Sequence, residues 1–149
     1  MELKRVLLVE DDPRDIELTL EALAGHNLAN EVVVVRDGAE ALDYLYRRGA
    51  YALREEGNPA VVLLDLKMPR VSWIQVLKEL KANENLKTTP VVVLTSSREG
   101  KDLEECYQLG VNAYVVKPVQ FHEFVESVKS VGVFWVLTNE PPSQSRRKI

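Results

Sequence analysis

Four short apolar runs in this chain each end on residues that carry chemistry, and that coincidence restricts the fold more than any other feature. Ala60-Val-Val-Leu-Leu runs into Asp65, Val6-Leu-Leu-Val9 into Glu10-Asp11-Asp12, Val91-Val-Val-Leu94 into Thr95-Ser-Ser97, and Ala113-Tyr-Val-Val116 into Lys117-Pro118. A continuous run rich in β-branched residues reads as a strand buried on both faces. Parallel strands put all four ends on one rim, which is where an open α/β sheet binds its ligands. Carboxylates, a hydroxyl and an ammonium therefore converge on a single site.

Like charges do not gather without a reason. Two carboxylates about 5 Å apart repel by roughly 3 kcal/mol at an effective dielectric of about 20, so the cluster implies a cation or a raised pKa. All-oxygen ligands favour Mg²⁺, or Mn²⁺, over zinc. The register of the acids follows from Asp12-Pro13, a cap-type acid before a proline that suits the first position of a helix. Asp12 is thus assigned to the cap, with Asp15 three residues on, and Glu10-Asp11 to the site.

Bulk properties narrow the partners. The 149 residues suffice for one domain and not for two, and a formal net charge of −4 gives no basic field for nucleic acid. The single cysteine, Cys106, cannot form an internal disulfide and suits a reducing cytosol. Only four apolar residues separate Lys4-Arg5 from Glu10, too few for a signal-peptide core, and no run approaches a membrane span. The expectation is a cytoplasmic protein without membrane or nucleic-acid partners.

In chain order, Ile16, Leu20 and Leu23 form a helical stripe ended by Gly25, and Val32 to Val35 reads as the next buried strand. Asp37 and Glu40 make a capping-box start for a helix carrying Ala41, Leu42, Leu45 and Tyr46. The polar insert from Arg47 to Pro59 is longer than usual for a helix-to-strand connection, and reads as a surface loop or a partner contact. Ser72 and Gln75 suggest a cap for a helix with Val76, Leu77 and Leu80 in the core. Arg98 to Lys101 reads as a polar loop, followed by a helix lined by Leu103, Cys106 and Tyr107 and stopped by Gly110. The final helix carries Phe121, Phe124, Val125 and Val128 on one face. The two histidines, His26 and His122, have no evident ligand partner. Beyond, Val133-Phe-Trp-Val-Leu137 is apolar all round and needs a further cover.

The ordered set Glu10-Asp11, Asp65, Thr95 and Lys117-Pro118 resembles the receiver domain of two-component response regulators. The insert and the Phe-Trp…Asn-Glu-Pro-Pro segment extend that resemblance to the single-domain regulators of bacterial and cyanobacterial phytochromes. It implies a three-layer α/β fold, a doubly wound five-stranded parallel sheet (flavodoxin-like, CheY-like) in strand order 2-1-3-4-5. Residues 1–139 would form the receiver and 140–149 a disordered tail.

The resemblance also implies roles. Asp65 would accept a phosphoryl group from a sensor histidine kinase of the phytochrome type. Glu10, Asp11, Asp65 and the Lys67 backbone carbonyl would hold Mg²⁺, or Mn²⁺. Thr95 and Lys117 would contact the phosphoryl oxygens and Tyr114 would be the switch aromatic, with Lys67 and Ser97 tuning the lifetime. Apart from the resemblance, the apolar excess of the final helix and the segment after it predicts a homodimer through Phe121, Val128, Phe134 and Trp135. Such a chain is a switch and not a turnover enzyme, limited to self-directed phosphotransfer and slow autodephosphorylation. The alternatives are an aspartyl-phosphate phosphohydrolase, which typically places an aspartate where Lys67 stands, or a phosphorelay receiver for a non-phytochrome kinase. One departure is Trp73, where the family pattern has a glycine; a partner contact and a structural tryptophan are both open readings.

Overall fold

Burial on both faces demands strands in the middle of a sheet with helices above and below. The computed structural model of the chain, which describes residues 5–24, 31–55, 57–68, 70–95, 100–117 and 122, has that form. β1 (Arg5–Val9), β3 (Val61–Asp65) and β4 (Val91–Thr95) are buried along their whole length. With β2 (Glu31–Val35) and β5 (Ala113–Val116) they make one parallel sheet in the order β2-β1-β3-β4-β5, the expected doubly wound arrangement.

The helices between the strands are α1 (Pro13–Ala24), α2 (Gly38–Tyr46), α3 (Arg70–Ala82) and α4 (Gly100–Gln108). The chain winds outward from β1 to β2, then crosses back past β1 to β3. Because parallel crossovers are right-handed, that reversal puts α1 on one face and α2, α3 and α4 on the other. Packing agrees. Leu42, Leu45, Trp73, Val76, Leu77, Leu80 and Cys106 share a core with Leu7, Val9, Val62, Leu64, Val91 and Val93, strand residues that alternate and so face one side. Ile16 of α1 is buried outside that cluster. The reversal also opens a crevice between the carboxyl ends of β1 and β3, the topological switch point.

The start of α1 matches its cap assignment. Asp12 Oδ1 accepts hydrogen bonds from the Arg14 N–H at 2.9 Å and the Asp15 N–H at 3.3 Å. Replacing Asp12 by alanine should therefore cost about 1 kcal/mol of stability. Urea unfolding of Asp12→Ala checks this, and an unchanged midpoint would show the cap to be idle. At α2 the Glu40 N–H bonds to Asp37 Oδ1 at 2.8 Å, while the Glu40 carboxylate reaches back to the Arg36 N–H at 2.9 Å.

Several expectations need correction. Val32, Val33 and Val34 are only half-buried, because β2 is an edge strand with one neighbour; Leu20 is half-buried as well. Helix α3 begins at Arg70, so Ser72 lies inside it and is not its cap. Helix α4 begins at Gly100, so Lys101 is helical and not part of a loop. Tyr107 was expected in the core but is half-exposed, its ring packed edge-to-face on Tyr114 with centroids 6.2 Å apart. Cys106 is buried filler, as expected.

The insert between α2 and β3 is a built connection. A 3₁₀ turn at Gly49–Tyr51 brings the Tyr51 hydroxyl to Glu40 Oε2 at 2.6 Å. The Arg54 guanidinium stacks 4.1 Å from the Tyr44 ring centroid and donates to the Tyr44 carbonyl at 2.7 Å. Arg54 and Arg5 both donate to the Gly57 carbonyl, which ties the loop to the first strand.

Among the described residues, no helix is long and apolar enough to cross a membrane. Gly25, His26, Ser97, Arg98, Pro118, Phe121, Phe124, Val125, Val128, the segment 133–137 with Phe134 and Trp135, and the 140–149 tail lie outside the described residues, as do the side chains of Leu23, Ser72 and Leu103. His122 is helical and exposed.

Candidate functional site

Strand register assembles the site. In the β1–β3 ladder Val9 stands opposite Leu64, so the next residues, Glu10 and Asp65, leave neighbouring strands side by side. Both are fully buried. Asp11, one residue further and exposed, completes a group in which one carboxylate oxygen from each residue lies within 4.8 Å of the others. On the other side, Thr95 ends β4, is buried, and accepts the Lys117 N–H at its carbonyl at 2.8 Å. The four strand ends thus meet as their sequence positions required.

Lys117 closes the cluster. Its ammonium lies 2.6 Å from Glu10 Oε1, 2.9 Å from Asp15 Oδ2 and 2.9 Å from Asp65 Oδ1, and its side chain is almost wholly buried. Burial alone would favour the neutral amine. The hydrogen bonds that it donates to Glu10, Asp15 and Asp65 outweigh it and hold the group above the ordinary lysine pKa.

Asp65 Oδ1 also accepts the Lys67 N–H at 2.8 Å, whereas Oδ2 is buried with no hydrogen-bond partner among the described residues. A buried carboxylate oxygen left without a donor is costly and marks a place for a ligand. Burial, followed by the hydrogen bond and charge of Asp65, pushes the Glu10 carboxyl up to about 7 against the pull of Lys117. Three converging carboxylates, one with an unpartnered buried oxygen and another reluctant to ionise, fit a hard divalent cation such as Mg²⁺.

The raised Glu10 carboxyl has a pH signature. Between about 4.5 and about 7 the folded chain holds a proton there that the unfolded chain has released, so metal-free stability should fall as pH rises through that window. Urea titrations in chelator check the direction. In saturating Mg²⁺, which requires the ionised carboxylate, this contribution should reverse. A Glu10→Gln variant should lose both trends.

Of the remaining expected residues, Lys67 projects its half-exposed ammonium to Asp12 Oδ2 at 3.2 Å and Asp15 Oδ2 at 3.5 Å. Tyr114 lies on β5 with Val93 opposite it, two steps before the Thr95–Val116 pair, and is partly exposed. Ser97 lies outside the described residues. One member was not anticipated: Asp15, read only as a first-turn acid of α1, contacts both lysines.

Residues 6–129 match the response regulator receiver domain family. The chain belongs to that family. Its relatives include Rcp1 of Synechocystis sp., 36% identical over 140 residues that cover 94% of each chain. The Mn²⁺-bound form of Rcp1 has a TM-score of 0.73 over 94% of this chain and 99% of that one, at 36% identity. The bacteriophytochrome response regulator RtBRR is 57% identical, with a TM-score of 0.83 over 98% of this chain and 88% of that one. The phosphorylated cyanobacterial phytochrome response regulator RcpA is 41% identical, with a TM-score of 0.75 over 95% of this chain and all of that one, 100%. Receiver domains are signalling switches that bind Mg²⁺, and the acidic group of this receiver has the donors for such an ion.

Proposed function

We propose that this receiver takes a phosphoryl group on Asp65 from a phosphohistidine of a phytochrome-type sensor kinase, and signals through the changed surface. The single observation that carries the acceptor assignment is Asp65 Oδ2, a buried oxygen without a hydrogen-bond partner among the described residues, beside the Lys117 ammonium that contacts Oδ1. The phytochrome assignment is supported by RtBRR and RcpA, both named as phytochrome response regulators.

In the proposed transfer an Asp65 oxygen attacks phosphorus, the P–N bond to the kinase histidine breaks, and the imidazole leaves with the electron pair. Glu10, Asp11, Asp65 and the Lys67 carbonyl would hold Mg²⁺, which when bound neutralises charge on the phosphoryl oxygens. Lys117 meets that charge from the other side, and the Thr95 hydroxyl is the hydrogen-bond donor drawn toward the product. Tyr114 follows as the aromatic reporter at the surface. Lys67, fixed over the α1 start by Asp12 and Asp15, would stand in the path of attacking water and slow the loss of phosphate. An unchanged dephosphorylation rate in Lys67→Ala would remove it from that role, and Ser97 is the second residue proposed to tune the lifetime.

Incubation with phosphorylated phytochrome-type kinases and, separately, with unrelated kinases and acetyl phosphate tests the reading. Rapid transfer from the phytochrome-type kinase, with only slow labelling by acetyl phosphate and by unrelated kinases, is the expected result; equal transfer from unrelated kinases would leave a receiver without that partner. The apolar excess of the sequence at Phe121, Val128, Phe134 and Trp135, and the partly exposed Tyr107–Tyr114 pair, support a homodimer. Light scattering decides it, since a wild-type monomer at tens of micromolar is incompatible with the dimer.

A further inference from the structure

The ammonium of Lys117 has three hydrogens, and three carboxylates take them: Glu10 at 2.6 Å, Asp15 at 2.9 Å and Asp65 at 2.9 Å. Glu10 and Asp65 also belong to the acidic group with the spacing for a divalent cation, and Asp15 does not. Lysine and cation are therefore rivals for the same two carboxylates. Among the described residues, Asp15 is the one carboxylate partner of Lys117 for which they do not compete.

We propose that Asp15 is a positioning residue: by holding the Lys117 ammonium from the α1 side, it draws that charge off Glu10 and Asp65 and so raises the affinity of the acidic group for Mg²⁺. The inference rests on the reading of Glu10, Asp11 and Asp65 as the metal-holding set. Asp15 sits in the first turn of α1 and its side chain is only 19% exposed. The same oxygen, Oδ2, faces Lys67 at 3.5 Å, so one carboxylate spans the two lysines that flank the acceptor. A simpler account makes Asp15 a first-turn acid that favours the helix dipole. That account predicts a stability change and no dependence of metal affinity on Lys117.

Calorimetric Mg²⁺ titration of the full chain separates the two. Asp15→Asn should weaken Mg²⁺ binding by about five- to tenfold, the size of a coupling between contacting groups. Lys117→Met should tighten binding, and in that background the further change Asp15→Asn should alter affinity by less than about twofold. Lys117→Gln takes its place if Lys117→Met does not fold. In a Lys67→Met background the full loss from Asp15→Asn should persist.

Equal losses with and without Lys117 would show a bulk charge effect and overturn the proposal, as would no loss at all or a loss that vanishes with Lys67. Asp11→Ala serves as the control. If it leaves Mg²⁺ binding intact, the metal set itself is wrong and the role of Asp15 falls with it. If Asp11→Ala abolishes binding while Asp15→Asn does nothing, only the positioning role is lost.

Discussion

Asp65→Asn should take up no phosphoryl group under conditions in which the wild-type chain, with Mg²⁺ and acetyl phosphate, takes up one. The substitution keeps the shape of the side chain, and its oxygen can still accept the Lys67 N–H that Oδ1 accepts at 2.8 Å. What it removes is the anionic nucleophile, since a neutral amide does not attack phosphorus to displace acetate. Folding should survive, because the change also removes the carboxylate whose proximity helps to raise the Glu10 pKa. The loss of the 2.9 Å ion pair with Lys117 acts the other way, but Glu10 and Asp15 remain as partners of that ammonium. Loss of label with an intact thermal transition is therefore the expected pair of results. Undiminished labelling of the folded variant would falsify the acceptor assignment and turn attention to Asp11 or Asp12.

The reasons that this much could be read from the sequence are physical, and so are the reasons for the misses. A strand covered on both faces has no polar alternation, which is why Val6–Val9, Val61–Leu64 and Val91–Leu94 stand out as unbroken apolar runs. The same signal misled at β2, where Val32, Val33 and Val34 are as apolar as a central strand but are half-buried. Apolarity cannot distinguish an edge from a centre when the faces are covered in both cases. The chemistry was legible because parallel register turns strand-end positions into neighbours in space. Asp15 was not legible by that route, for its partner Lys117 lies 102 residues away and approaches only in the folded sheet. A weaker signal existed: side chains in a helix tilt toward its N-terminus, so a first-turn acid at the rim points back at the strand ends.

Trp73→Ala should be the most damaging single change among the large core residues of α3, costing about 3–5 kcal/mol of stability. Sequence spacing alone left this tryptophan between a partner contact and a structural role. With α3 beginning at Arg70, the choice is forced. Trp73, Val76, Leu77 and Leu80 then follow the i, i+3, i+4, i+7 pattern of one helical face, and all four are buried in one cluster with Met68 and the α2 residues Leu42 and Leu45. The indole is 2% exposed, which leaves no surface for a partner. Removing it opens a cavity in the core that α3 shares with α2 and the sheet, and such a loss is a large share of the roughly 5–15 kcal/mol that holds a domain folded. Urea unfolding of Trp73→Ala against wild type measures it, with Trp73→Phe expected to recover more than half of the loss by refilling most of the volume. A loss below about 1 kcal/mol in Trp73→Ala would mean that the site collapses around the missing ring, and that the indole fills space where the family pattern has a glycine without supporting the fold.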